Sequence, residues 1–223
     1  MVEKWFVTDI ESVLIDGEFL PELAKLKNLE EEVRRITLRG IRGEISWEEG
    51  LRQRINLLKG VSYEDAISVA DSLPLMRNAK VACEKIRKLG YKIAAISGGF
   101  YLLADRVEKE LELDYVFANR LIFRYGRLVN VEFKVTSDKA GVLKKILEKN
   151  GEMYKGPNLK IAFNAQPVVK EYADVVVDEK DLLKVAPYFQ NCGNSSEDCS
   201  SHVVAVIDGG NDLTLFGIYK YTS

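Results

Sequence analysis

The sequence predicts an α/β protein, a doubly wound and mostly parallel sheet with a helical insertion after its first strand. Short apolar runs at 4–9, 91–96, 160–163, 174–177 and 203–207 alternate with segments whose apolar residues recur at helical spacing. That alternation implies parallel strands covered by helices on both faces. Residues 17–75 interrupt it, being rich in charged, helix-favouring residues. Acidic and glycine-rich segments follow three of the apolar runs, where open α/β sheets gather their ligands.

The first strand, residues 4–9, ends in Asp9-Ile10-Glu11-Ser12. Four amphipathic stretches follow, marked by Leu20, Leu23, Leu26 and Leu29, by Val33, Ile36, Leu38 and Ile41, by Leu51, Ile55 and Leu58, and by Ala66, Val69, Ala70 and Leu73. The last starts at Ser62-x-x-Asp65, a capping box with Asp in place of Glu. Residues 17–75 are therefore expected to form a four-helix unit, and 1–16 with 76–223 the α/β core. After Pro74 a helix at 78–89 ends at Gly90, and the strand 91–96 leads into Ser97-Gly98-Gly99. A helix at 100–111, a strand at 115–117 and a hairpin around Tyr125-Gly126 come next. Ser137 is expected to cap a helix at 138–149. Then follow the strand 160–163, a helix at 167–172, the strand 174–177, a helix at 180–189, the strand 203–207 and a helix near 211–217.

The chain of 223 residues is 47% hydrophobic and 30% charged, with a net charge of −2. It is long enough for a well-buried core, and the charge gives no reason to expect nucleic acid or an anionic membrane as partner. No apolar run approaches the ~20 residues that span a bilayer, and the N-terminus carries no signal-peptide pattern. A cytoplasmic location is the default expectation. Cys83 reads as a core residue, while Cys192 and Cys199 bracket a short loop and could close a disulfide of the kind found inside hyperthermophiles. The abundance of Lys, Glu, Val, Ile and Tyr is compatible with a thermophile source. Two cysteines and the lone His202 make an incomplete zinc set.

Four segments carry the ingredients of phosphoryl transfer. Two acids as close as Asp9 and Glu11 are costly to ionise together unless a cation lies between them or one holds a proton. In Ser97-Gly98-Gly99, backbone N–H groups and a hydroxyl can cradle a phosphate at a helix start. Lys139 lies near the start of its own helix and can neutralise phosphate oxygens. Asp208-Gly209-Gly210-Asn211-Asp212 supplies two acids around a flexible turn, suited to Mg²⁺. Singly, each segment is ordinary turn or surface chemistry. Their joint placement, three after apolar strands and one on a helix, is what points to a site.

With these residues the sequence resembles the haloacid dehalogenase superfamily, and within it the phosphoserine phosphatases. Phe6-Val7-Thr8-Asp9-Ile10-Glu11-Ser12-Val13-Leu14 is similar to the family's Asp-x-Asp-Ser-Thr-Leu opening, and Ile96-Ser97-Gly98-Gly99-Phe100 to its second motif. Lys139 falls where its lysine lies, and Ile207-Asp208-Gly209-Gly210-Asn211-Asp212 is similar to its Gly-Asp-Gly-x-Asn-Asp motif. The resemblance implies a Rossmann-like core, with 17–75 as a helical cap over the active site. It implies Asp9 as the nucleophile forming an aspartyl-phosphate and Glu11 as acid and base, with Ser97, Gly98 and Lys139 holding the phosphoryl group. Mg²⁺ would be held by Asp9, the Glu11 backbone carbonyl and Asp208, with Asp212 and Asn211 supporting. Glu18 and Arg54 fall where the family pairs the amino and carboxylate groups of phosphoserine, and Trp47 where an aromatic closes the pocket.

Two departures stand out. Glu11 replaces the family's Asp, and its extra methylene moves the carboxyl by roughly 1.5 Å, large against acid/base tolerances. The order of segments also differs. The Asp208 strand comes last, after the segments 159–163 and 173–177 that it precedes in the family. Loop 190–202 has 13 residues, a reach of roughly 40 Å, and crossing back over one strand needs only about 10 Å. The last strand is therefore expected to insert beside the first and bring Asp208 next to Asp9. The leading functional expectation is a Mg²⁺-dependent phosphomonoesterase acting on a small metabolite, phosphoserine favoured, as a monomer or homodimer. The alternatives are a phosphatase for another phosphometabolite and a silent member that binds a phosphorylated ligand or a protein.

Overall fold

The computed structural model describes residues 3–191 and 202–219, and of Asn191, Gly210 and Asn211 the main chain only. The pair Cys192 and Cys199 lies outside the described residues. Seven strands form one sheet: β1 (Lys4–Thr8), β2 (Tyr91–Phe100), β3 (Tyr115–Arg124), β4 (Arg127–Glu132), β5 (Leu159–Phe163), β6 (Val175–Val177) and β7 (His202–Ile207). Their order is β4-β3-β2-β1-β7-β5-β6. Every pairing is parallel except that of β3 with β4, whose turn carries two residues at positive φ, Tyr125 and Gly126. The last strand thus inserts between β1 and β5, as the sequence led us to expect.

The centre of the sheet is apolar on both faces, as a parallel sheet sandwiched by helices must be. Trp5, Phe6 and Val7 of β1, and Val203 to Ile207 of β7, have no exposed surface. Each such side chain stabilises the fold by roughly 1.5–3 kcal/mol through burial. The facing helices are α5 (Ala79–Lys88), α6 (Tyr101–Leu111), α7 (Lys139–Lys149), the short α8 (Pro167–Lys170) and α9 (Ala186–Asn191). The insertion holds α1 (Phe19–Lys25), α2 (Glu30–Ile41), α3 (Trp47–Leu58) and α4 (Tyr63–Ser72), four helices that fall where the apolar spacing placed them. Ser62 does cap α4, its hydroxyl accepting from the Asp65 N–H.

The two chain crossings between insertion and sheet pair with one another. The Asp16 N–H donates to Pro74 and the Met76 N–H to Leu14. Farther out, Gly60 and Tyr63 donate to Leu128 and Gly126, and Leu128 to Val61, so the α3–α4 corner is stitched to the β3–β4 hairpin.

Several local expectations need correction. Asp138, not Ser137, caps α7, accepting from the Gly141 N–H; both donors of Ser137 are engaged elsewhere. The segment 210–216 is a 3₁₀ helix rather than an α-helix. Leu213, Thr214, Leu215 and Phe216 are all buried, and four consecutive buried residues do not fit one stripe of an α-helix. The helix expected over 180–189 divides into a 3₁₀ turn, Leu182–Val185, and α9. β2 continues through Ser97-Gly98-Gly99, and β3 runs on into the hairpin.

Candidate active site

Parallel register brings the acids together. Thr8 of β1 stands level with Val206 of β7, so Asp9 and Asp208 leave the carboxyl ends of neighbouring strands side by side. Asp9, Asp208 and Asp212 each offer an oxygen within 4.8 Å of the others. The turn after β7 fixes Asp212: its N–H donates to the Gly209 carbonyl, and its carboxylate accepts from the Gly209 N–H at 3.3 Å. Asp9 Oδ1 accepts from the Ile10 N–H at 2.6 Å, leaving Oδ2 to Lys139.

Lys139 is the first residue of α7, and its Nζ lies 2.6 Å from Asp9 Oδ2 and also pairs with Asp212. Burial alone would pull its ammonium down, but Asp212 and Asp9 outweigh that and raise it, so it stays cationic. Three carboxylates, those of Asp9 and Asp212 buried and that of Asp208 half-buried, against one ammonium still leave an excess of negative charge. Burial, then Asp212 and Asp9, push the Asp208 carboxyl well above the usual range, and burial likewise raises Asp212. Hard oxygen donors in negative excess suit a divalent cation, which would remove that strain.

Glu11 stands apart from the carboxylate trio. One carboxylate oxygen accepts from the Phe19 N–H, and the other faces Gly99. Burial pushes its carboxyl up to about 7 against the pull of that N–H, with Asp9 and Glu18 adding. The residue keeps some surface toward the cavity, yet its carboxyl is packed closely enough to lose most of its hydration.

The second motif is shaped by contact from both sides. A Cβ on Gly98 would come 2.7 Å from Trp47 Cζ2, and one on Gly99 2.5 Å from Glu11 Oε2. A side chain at Gly98 would have to displace the indole, and one at Gly99 the Glu11 carboxylate. The Ser97 hydroxyl, buried, accepts from the Gly99 N–H at 3.0 Å. Asn119, which the sequence reading did not single out, clamps this loop. Its amide donates to the Gly98 carbonyl at 2.9 Å, and its oxygen accepts from the N–H groups of Lys134 and Val135.

A cavity of about 340 Å³ opens above these groups, with Asp9, Glu11, Gly98, Asp208 and Asp212 on its floor and Glu18, Trp47 and Arg54 from the insertion on its other walls. Arg54 is partly buried and donates from Nε to Gly50 and from Nη1 to Thr37. Glu18 is exposed at the start of α1. Of the residues picked from the sequence, Asn211 is the one whose side chain lies outside the described atoms. Gln166, Thr37 and Thr214 also line the cavity and were missed. None of the three belongs to a motif that carries chemistry: Thr37 lies among the apolar positions of α2, Gln166 just before α8, and Thr214 in the segment 210–216.

Comparison with known proteins agrees with this fold. A family model described as haloacid dehalogenase-like hydrolase matches residues 3–163, ending before β7. The phosphoserine phosphatase of Methanocaldococcus jannaschii is 32% identical over 207 residues, 84% of this chain and 98% of that protein. A solved phospho-aspartyl intermediate analogue of phosphoserine phosphatase superposes with a TM-score of 0.77 at 31% identity, covering 84% of this chain and 99% of its own. A substrate-bound phosphoserine phosphatase complex gives 0.77 at 30% identity over the same shares.

Proposed function

This chain belongs to the haloacid dehalogenase-like hydrolases and is a phosphatase, and from that premise we propose that it hydrolyses phosphoserine through an aspartyl-phosphate on Asp9. The observation that carries the reading is the meeting of Asp9, Asp208, Asp212 and Lys139 beneath a cavity whose insertion wall supplies Arg54 and Glu18. A carboxylate oxygen of Asp9 attacks phosphorus, and the bond to the serine oxygen breaks. Glu11, its carboxyl protonated near neutrality, gives its proton to the leaving oxygen. Water then attacks the phosphorus, Glu11 takes a proton back, and inorganic phosphate leaves with Asp9 restored. Ser97, the N–H groups around Gly98 and the Lys139 ammonium hold the phosphoryl oxygens.

Asp9, Asp208 and the Glu11 carbonyl, with Asp212 behind them, would hold Mg²⁺. When bound, the ion supplies positive charge against the phosphoryl oxygens. Residues 17–75 serve as a cap domain over the core formed by 1–16 and 76–223. Arg54 is suited to a carboxylate and Glu18 to an ammonium, the two ends of a phosphorylated amino acid, with Trp47 closing over the phosphate loop. Among the described residues no helix is long and apolar enough to cross a membrane.

A second reading rests on the aliphatic part of the cavity wall, to which Leu20, Ile36, Ile41 and Ile45 contribute. That wall favours a bulkier phosphomonoester. Phosphate release from phosphoserine and from p-nitrophenyl phosphate, with and without Mg²⁺ and beside Asp9→Asn, tests both. Turnover of the second compound alone rejects phosphoserine, and turnover of neither by folded protein rejects the catalytic reading.

A further inference from the structure

One pair of hydrogen bonds crosses from the insertion to the core at the place where the site is assembled. Glu48, in the first turn of α3, accepts through Oε1 from both the N–H and the hydroxyl of Ser137, at 3.0 and 3.1 Å. Ser137 lies two residues before Lys139, and the intervening chain is held from its other side by Thr214. The Thr214 hydroxyl accepts from the Lys139 N–H at 3.1 Å and donates to the Ser137 carbonyl at 3.3 Å. The start of α7, and with it the base of the Lys139 side chain, is therefore gripped between a core hydroxyl and a carboxylate of the insertion.

The geometry of α3 explains why this grip matters. Its C-terminal corner is stitched to the β3–β4 hairpin by three backbone hydrogen bonds of 2.9 Å around Gly60, Val61 and Tyr63. Its twelve residues make a rod of about 18 Å, so a lift of α3 about that corner moves the Trp47–Glu48 end most. At that end Trp47 lies on Gly98 and Glu48 holds Ser137. Lifting α3 uncovers the phosphate loop and releases the Lys139 segment in one motion.

We propose that Glu48 is a positioning residue: its bonds to Ser137 make closure of the insertion and placement of Lys139 a single event. The proposal rests on the phosphatase reading of this site. A charge-assisted hydrogen bond favours the closed arrangement, and a ligand that touches both walls binds more weakly as the closed fraction falls.

The chain's two tryptophans provide the readout. Trp5 is fully buried in the core and gives a constant background, while Trp47 reports the seam. Inorganic phosphate in the presence of Mg²⁺ is titrated against the fluorescence of the native protein, Glu48→Ala, Glu48→Gln, Ser137→Ala and the double alanine variant. In Glu48→Ala the half-saturating phosphate concentration and the KM for phosphoserine are expected to rise about tenfold, the worth of about one such bond. Glu48→Gln, which keeps one acceptor oxygen, recovers part of the loss. Ser137→Ala, which keeps the backbone donor, moves both values in the same direction by less. It adds nothing once Glu48 is gone. Unchanged titrations in both single variants overturn the proposal, as does full additivity in the double variant. If Glu48→Ala does not fold, Ser137→Ala decides. If phosphoserine is not turned over by the native protein, the substrate reading fails while the phosphate titration still judges Glu48.

Discussion

Lys139 Nζ lies 2.6 Å from Asp9 Oδ2 across 130 residues of sequence, with both side chains buried. The same ammonium pairs with Asp212, while Asp208, the third acid of the cluster, is left with its carboxyl raised. The site without a cation is therefore electrostatically frustrated.

Relief of that frustration is measurable. Asp208→Asn removes one of three crowded carboxylates and is expected to stabilise the metal-free protein by about 1 kcal/mol, about 3 °C in Tm. The sign follows from an acid whose folded value lies above its unfolded one: its ionised form opposes folding at neutral pH. Excess Mg²⁺ raises the Tm of the native protein by mass action, about 2.7 kcal/mol at a hundred times Kd, and leaves the variant nearly unmoved. A Mg²⁺-independent native Tm speaks against the metal site.

Glu11 sets a pH limb. With its carboxyl pushed up to about 7, kcat/KM for phosphoserine is expected to fall about tenfold per pH unit above that value, as the proton is lost. Turnover of p-nitrophenyl phosphate, whose leaving group needs no proton, stays flat over the same range. Glu11→Gln slows the first substrate and abolishes its limb.

Asn119→Leu leaves the Lys134 and Val135 N–H groups without their acceptor. A loss of about 2–4 kcal/mol in urea unfolding is expected, a buried-amide cost. The kcat/KM falls alike for every phosphomonoester, because the Gly98 carbonyl is released. A drop confined to phosphoserine contradicts the loop-clamping role.

The contact between Gly98 and Trp47 predicts a rescue. Gly98→Ala places a methyl 2.7 Å from the indole, and KM rises about tenfold as α3 is pushed away. Trp47→Leu in the same chain recovers a substantial part of that loss, although Trp47→Leu alone weakens binding. Strict additivity removes the steric account.

His202 is buried, its Nε2 has no hydrogen-bond partner among the described residues, and burial together with Lys4 holds its imidazole below the ordinary value of 6.5. Folding keeps the ring neutral, so stability is full above that value and declines as pH falls through it, when the unfolded chain takes up the proton first. Urea midpoints of the native protein at pH 7.5 and 5.5 are expected to differ more than those of His202→Phe, whose ring preserves the contact with Tyr91.

Much of this was legible in the sequence because it obeys local rules. The four insertion helices follow from apolar spacing and from Ser62, which caps its helix; the cap that Ser46 gives α3 appears only in the structure. The residues carrying charge stand at strand ends and a helix start. The insertion of β7 beside β1 followed from needing Asp208 near Asp9, together with a connection long enough to reach. What escaped is long-range and polar. Asn119 is one asparagine inside a strand, and its three bonds join segments that no periodicity links. Ser137 looked like a helix cap because its hydroxyl is one residue from the true one; only the arrival of Glu48 from 89 residues away reassigns it. The 3₁₀ form of 210–216 depends on burial from several sides, which one-dimensional patterning does not contain.

The position of β7 has a consequence for synthesis. It lies at the middle of the sheet but follows every other described strand in the chain. As the polypeptide leaves the ribosome, β1 and β5 each present an unpaired apolar edge until residues 202–207 emerge. Such edges are templates for pairing with other chains. The open edge of β1 waits from residue 8, and that of β5 from residue 163, until residue 202 is made, and the central ladder closes only through contacts distant in sequence, which are the slow ones. A burden on chaperones, rather than on the finished enzyme, is where this topology exacts its penalty.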